Sequence, residues 1–175
     1  SSDLLGAAQA YADENHVDIT FVRADMRTCV ADGVFDVVVN FFTSFGYFES
    51  DDENARVLRA IRTSLRPGGG WMMDYLNRES VIKGFVPRDE RTLDGMHLIQ
   101  ERRLDIQRGR ILKTLTIRRG DDTRTYHESV RMYTPPELFS LCSGAGLKVT
   151  QVFGSYDGAP FAIDSPRLIL AGTTT

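Results

Sequence analysis

Phe35-Asp36-Val37-Val38-Val39-Asn40-Phe41-Phe42 is an apolar run with a β-branched centre that stops at an asparagine. Further on, Leu65-Arg66-Pro67-Gly68-Gly69-Gly70 leads into Trp71-Met72-Met73-Asp74-Tyr75-Leu76. An apolar run ending in a polar residue is how a fully buried parallel strand reads when its carboxyl end opens onto a site. Pro-Gly-Gly is a turn that feeds a second buried strand. The segment between is helical: Ser50 and Glu53 have capping-box spacing, and Val57, Leu58, Ile61 and Leu65 give one apolar stripe to pack on a sheet. Strand, helix and strand in succession make a right-handed crossover in a parallel sheet, with ligands expected beyond the strands' carboxyl ends. That architecture points at Asn40 and Asn77.

Outward from this unit, Leu4, Leu5, Ala8 and Ala12 recur at helical spacing, and Ile19-Thr20-Phe21-Val22 reads as a short strand stopped by Arg23-Ala24-Asp25-Met26. From about His97 to Met132 the texture turns to alternation. Leu115 and Ile117 alternate with Thr114, Thr116 and Arg118, while Tyr126, Val130 and Met132 share one parity. This predicts a three-stranded antiparallel ribbon, inserted into the α/β framework. Its apolar face has no obvious room on the core, so a lid or a dimer contact is expected. Thr134, Pro135 and Glu137 open another helix, which Gly144 and Gly146 end. Val149 to Phe153 and Arg167 to Ala171 are the last strands, joined by a loop from Gly154 to Pro166. The whole is read as one α/β domain over residues 1–175.

Composition sets the bounds. A chain of 175 residues, 42% hydrophobic, is long enough for one sizeable core and short for two. A net charge of -3, from 21 basic and 24 acidic residues, argues against a nucleic-acid or membrane-surface binder. Cys29 and Cys142, far apart and without metal-ligand spacing, read as free thiols in a reducing compartment, and nothing resembles a signal peptide, so a cytoplasmic location is expected. His16, His97 and His127 form no metal-binding cluster.

The strand ending at Asn40, the aromatic loop Thr43-Ser44-Phe45-Gly46-Tyr47-Phe48 and Leu65-Arg66-Pro67-Gly68-Gly69 together resemble the second half of a class I S-adenosylmethionine-dependent methyltransferase. The resemblance implies a Rossmann-like parallel sheet with an antiparallel final strand, and S-adenosylmethionine as cofactor. It implies that Asp25 accepts from the adenine amino group, with the backbone of Met26 meeting a ring nitrogen. Asn40, Phe42 and Phe45 then fall where cofactor and acceptor meet, since a sulfonium is a cation held by carbonyls and aromatic faces. Tyr47, Asn77, Tyr156 and Asp157 are expected around the acceptor, whereas Phe41 and Phe48 are expected in the core. His127 and Glu128 fall on opposite faces of the ribbon, and no clear general base emerges. The acceptor is expected to be a nitrogen or oxygen of a small molecule.

In that family a glycine-rich loop follows the first strand and an acidic residue ends the second; neither has a counterpart in this sequence. The expectation is an N-terminally truncated domain without its first strands, binding S-adenosylmethionine weakly by itself and impaired in methyl transfer. Exposed sheet edges would then favour a homodimer or strand exchange. The rival reading is a non-catalytic protein that uses the scaffold for self-association or partner binding.

Overall fold

A computed structural model describes residues 2–28 and 31–174; Cys29 lies outside the described residues. The elements run α1 (Ser2–Glu14), β1 (Phe35–Asn40), α2 (Asp51–Ser64), β2 (Leu65–Leu76), α3 (Arg78–Lys83), β3 (Arg88–Leu93), β4 (Met96–Asp105), β5 (Arg110–Arg119), β6 (Asp122–Arg131), α4 (Pro135–Gly144), β7 (Leu147–Phe153) and β8 (Arg167–Thr174). They form two four-stranded sheets, ordered β1-β2-β8-β7 and β3-β4-β5-β6.

The first sheet realises the strand–helix–strand unit. β1 and β2 pair in parallel, with Val38 opposite Trp71 and Asn40 opposite Met73. The Pro67-Gly68-Gly69 turn loops out inside the longer strand β2, between the pairings Phe35 with Leu65 and Val37 with Gly70. β8 runs antiparallel to both β2 and β7, so β7 points the same way as β1 and β2. Gly172 makes this packing possible, because a Cβ there would stand 1.7 Å from the Lys148 carbonyl oxygen.

Helix α2 starts where Ser50 Oγ accepts from the Glu53 backbone N–H and Glu53 reaches back to the Ser50 N–H. Its Val57 and Leu58 join Leu138 and Cys142 of α4 over Trp71, Met73, Tyr75, Leu168 and Leu170 to form the core. Burial pushes the Cys142 thiol up to about 12. The opposite face of β1 is open: Val37 is 60% and Val39 49% exposed, and among the described strands β1 pairs on one side only.

Four expectations need correction. β1 is not the fully buried strand expected: most of its residues are exposed, because among the described strands it pairs on one side only and one of its faces is uncovered. Residues 19–22 are not a strand, and Ile19 and Val22 are about half exposed; an extended segment gains ladder bonds only beside a partner, and this one has none among the described residues. The ribbon has four strands, not three, and begins at Arg88 instead of 97. Strand β3 (Arg-Asp-Glu-Arg-Thr-Leu) escaped the reading because it is a charged edge strand without alternation, paired to β4 from Arg88–Glu101 to Leu93–Met96. Phe41 is 40% exposed and so not core, whereas Phe48 does pack against the core.

The ribbon is rooted in the α/β part. Arg110, 5% exposed, donates to the Phe48 carbonyl and to the hydroxyl and carbonyl of Ser129. Leu104, Ile111 and Val130 carry one face of the ribbon onto the core.

Candidate functional site

The site is built at the carboxyl ends of β1 and β2. The chain leaves β1 through Phe42 and Thr43, two non-glycine residues in the left-handed region at φ 58° and 56°. Such a conformation costs of order 1–3 kcal/mol per residue, so surrounding contacts must hold it. Here they come from Asp74, which is fully buried in β2. Its Oδ2 accepts from the Phe42 N–H at 2.8 Å and from the Tyr156 hydroxyl at 2.6 Å. Its Oδ1 accepts from Arg167 Nε at 2.7 Å, and its backbone carbonyl accepts from the Thr43 N–H at 3.1 Å. Arg167 also donates to Thr43 Oγ1 at 2.8 Å. One carboxylate thus ties the loop after β1, the loop after β7 and the start of β8. Its bond to Asp74 raises the Tyr156 phenol above the ordinary tyrosine value, so this hydroxyl stays a donor through neutral pH.

Beside the knot lies a recess of about 220 Å³, walled by Phe41, Met72, Phe153, Tyr156 and Ile169 with Asp74 at its polar end. An apolar hollow with one convergent polar group has the character of a small-molecule subsite.

The aromatic loop divides its residues between core and surface. Phe45 is fully buried and packs on Tyr75 and Tyr133, at ring-centroid distances of 6.0 and 5.8 Å. Phe42 is 80% exposed and Tyr47 43%. Burial, then the charge of Glu128 on the ribbon, raises the Tyr47 phenol. Gly46, at φ 93°, lets the loop dock on the ribbon: its carbonyl accepts from the Arg131 N–H at 2.8 Å, and a Cβ there would lie 3.0 Å from the Arg131 carbonyl oxygen.

The remaining residues named from sequence are spread around this centre. Asn40 ends β1, and its side-chain Oδ1 is buried without a partner. Asn77 is 1% exposed; it caps α3 by accepting from Glu79 and donates to the carbonyls of Ile163 and Ser165 at 2.9 and 2.7 Å. Asp157 accepts from Ser155 Oγ and from the Ala159 N–H, which hold it below the usual carboxylate range. Asp25 is bound by the side chain and backbone N–H of Arg27, which lowers it to about 2. Arg27 in turn pairs with Glu53 and lies 4.3 Å over the Phe48 ring, while Met26 packs against the core. The ribbon places Glu128 beside Lys113 and His127 beside Thr114, on opposite faces.

Asp74, Arg167 and Thr43 were not singled out from sequence. The available signal was an acid inside the apolar run Trp71 to Leu76, which must find a cation or several donors when buried. Among the described residues no cluster of histidine, cysteine and acidic side chains suits a metal, and no helix is long and apolar enough to cross a membrane.

This arrangement, with the strand order β1-β2-β8-β7 and a recess at the carboxyl ends, is the fold of class I S-adenosylmethionine-dependent methyltransferases. Residues 1–69 match the family described as "Methyltransferase domain". The chain is 26% identical over 156 residues to the cypemycin N-terminal methyltransferase of a Streptomyces species, covering 87% of this chain and 64% of that relative, slightly under two thirds of its length. An S-adenosylmethionine-dependent methyltransferase from Clostridium acetobutylicum superposes with a TM-score of 0.87 at 13% identity, over 99% of this chain and 72% of the other. The CcbJ methyltransferase from Streptomyces caelestis gives 0.81 at 18% identity, over 99% and 70%.

Proposed function

We propose that the chain takes part in methyl transfer from S-adenosylmethionine to a nitrogen or oxygen of a small molecule. The observation that carries this reading is the left-handed Phe42–Thr43 exit from β1, clamped by buried Asp74 at the ligand end of the sheet. Backbone strain held in place at a strand end is the mark of a ligand-facing loop.

The residues present fit part of the cofactor. When bound, S-adenosylmethionine supplies an electrophilic methyl group on a sulfonium. The partnerless Asn40 Oδ1 offers an acceptor and the exposed Phe42 ring an aromatic face, both suited to a cation without N–H donors. Asp25, held ionised by Arg27, retains acceptor capacity for an adenine amino group beside Met26. Phe45 backs the loop from the core. In this reading Tyr47 and Tyr156 orient the acceptor, Asp157 and Asn77 fix the loops around it, and the apolar recess excludes water. Orientation and desolvation are then the main contributions of the protein. The relative's name, with its N-terminal acceptor, favours nitrogen.

The test is equilibrium dialysis with labelled S-adenosylmethionine, competed by S-adenosylhomocysteine, followed by mass detection of methylated amines. Weak retention that competitor removes, and that Asn40→Ala lowers further, is expected, since the residues present address only part of the cofactor. Absence of both competable binding and methylated product overturns the reading.

The exposed edge of β1 favours a second reading, in which the scaffold associates with a copy of itself or another protein. Light scattering of Val37→Lys/Val39→Lys discriminates: a fall in mass supports association through this edge, and an unchanged monomer mass removes it.

A further inference from the structure

Arg110 and Arg131 stand directly opposite each other on β5 and β6, and both line one recess at the root of the ribbon, together with Arg108, Glu49 and Asp51. The recess has a volume of about 480 Å³. Three cationic side chains share it because the turn from β4 to β5 runs Arg108-Gly109-Arg110. Gly109 is in the left-handed region at φ 59°, and a Cβ there would stand 2.2 Å from Arg131 Nη1, so glycine lets the turn close onto that guanidinium. The Asp105 carboxylate accepts from the Arg108 backbone N–H at 3.0 Å and fixes the turn.

Like charges directly opposite on paired strands repel, and a buried charge without a counter-ion is costly. The three arginines are not equally offset. Arg131 has two acids, Asp51 at 3.5 Å and Glu137 at 3.1 Å, and Asp51 also accepts from the Tyr133 hydroxyl at 2.6 Å. Arg110 is 5% exposed and enters none of the ion pairs among the described residues. Its bonds go to neutral oxygens: Nε to Ser129 Oγ, Nη1 to the Phe48 carbonyl and Nη2 to the Ser129 carbonyl. A guanidinium has five N–H groups, so one on each Nη is left over. Arg108 and Glu49 are exposed and likewise stand outside those ion pairs. The recess thus holds a buried cation without a counter-ion and a second free cation two residues away, against Glu49 as the one unengaged acid of its lining.

We propose that this recess binds the phosphate group of a small molecule. One guanidinium fork serves a planar carboxylate, whereas here two guanidiniums lack a counter-ion. A phosphate group answers both, with three acceptor oxygens and close to two negative charges at neutral pH. The volume leaves room for the group that carries it. None of the lining residues is shared with the recess beside Asp74, so the proposal does not rest on the methyl-transfer reading. A ligand held here would tie the ribbon root to the loop between β1 and α2, because Arg131 already donates its backbone N–H to Gly46 and Arg110 its side chain to Phe48.

The test titrates the full chain with inorganic phosphate, and with acetate and chloride at equal ionic strength. Backbone amide NMR of residues 108–110 and 131 and the midpoint of thermal unfolding are followed together. Saturable shifts and a rising midpoint with phosphate are expected, at concentrations where acetate and chloride give neither. Arg108→Gln is expected to weaken phosphate about tenfold or more and Glu49→Gln to tighten it about threefold, since one removes an attracting charge and the other a repelling one. Both positions are exposed, so the midpoint without phosphate should not move, and Arg108→Lys should recover part of the affinity. Three results overturn the proposal: no saturable response to phosphate, a response that acetate or chloride matches, or Arg108→Gln and Glu49→Gln shifting the affinity in the same direction.

Discussion

Asp74 and Arg167 are 93 positions apart in the chain and 2.7 Å apart in the fold, and Asp74 is wholly closed to solvent. Their pairing makes the two ends of the site one unit, because Arg167 also holds Thr43 and Asp74 also holds Phe42 and Tyr156. Arg167→Met leaves a buried carboxylate without its cation. Breaking a buried pair from one side typically costs 3–5 kcal/mol, and partial exposure of Arg167 lowers the expectation to about 2–3 kcal/mol. Denaturant unfolding measures the loss, and amide exchange at Phe42 and Thr43 should speed up more than at core strands. Adding Asp74→Asn should recover part of the stability by removing the orphaned charge.

Gly46 shows why a loop that reads as aromatic filler has a fixed path. At φ 93°, with the Arg131 carbonyl oxygen and the Tyr75 hydroxyl 3.0 and 3.1 Å from a would-be Cβ, Gly46→Ala combines left-handed strain with a close contact. The expected cost is about 1–3 kcal/mol. Because the Tyr75 hydroxyl also donates to the Arg131 carbonyl, the substitution should loosen the root of β6 as well. Thermal unfolding checks the first effect and amide exchange at Arg131 the second.

The strand–helix–strand unit, both helix caps and three of the ribbon's four strands were legible because each rests on local signals: periodicity, capping spacing and turn residues; the charged edge strand β3 has no alternation to announce it. The Asp74 knot was not, since its partners come from positions 42, 156 and 167, and no local pattern announces which arginine a buried acid will meet. Phe45 and Phe41 show the same limit. Both are aromatic residues of the segment leaving β1, yet one is fully buried and the other 40% exposed, a choice made by Tyr75 and Tyr133 from distant elements. The residues 19–22 look like a strand locally, but strand structure needs a neighbour, which no local pattern supplies.

Asp25 titrates at about 2 because Arg27 binds it through side chain and backbone. Its carboxyl is more acidic folded than unfolded, where about 4 is ordinary. The pair therefore stabilises the chain above pH 4 and loses that contribution as pH falls through about 2. Arg27→Ala should return the Asp25 midpoint towards 4, read by carbon-detected NMR of the side-chain carboxyl. In dialysis, Asp25→Ala should weaken S-adenosylmethionine binding about tenfold. Unchanged affinity would remove Asp25 from the adenine site, while an unmoved midpoint in Arg27→Ala would remove Arg27 as the cause.

The ribbon's outer half has apolar residues with nothing of the α/β core against them. Leu115 pairs across the strands with Tyr126, and Ile117 with Arg124, so Leu115, Ile117 and Tyr126 share one face, and Tyr126 is 48% exposed. Nearer the root, Ile111 and Val130 of that same face are already against the core. Deleting the whole ribbon would therefore strip Arg110 and Val130 from the structure, and point changes at the tip are the cleaner test. Ile117→Glu combined with Tyr126→Lys should leave unfolding within about 0.5 kcal/mol of the parent, as surface changes do. If the outer face is a dimer contact, the mass in light scattering falls; if it is a lid, KM for the acceptor rises while S-adenosylmethionine binding holds. Equal mass together with unchanged acceptor kinetics would exclude both roles for this face.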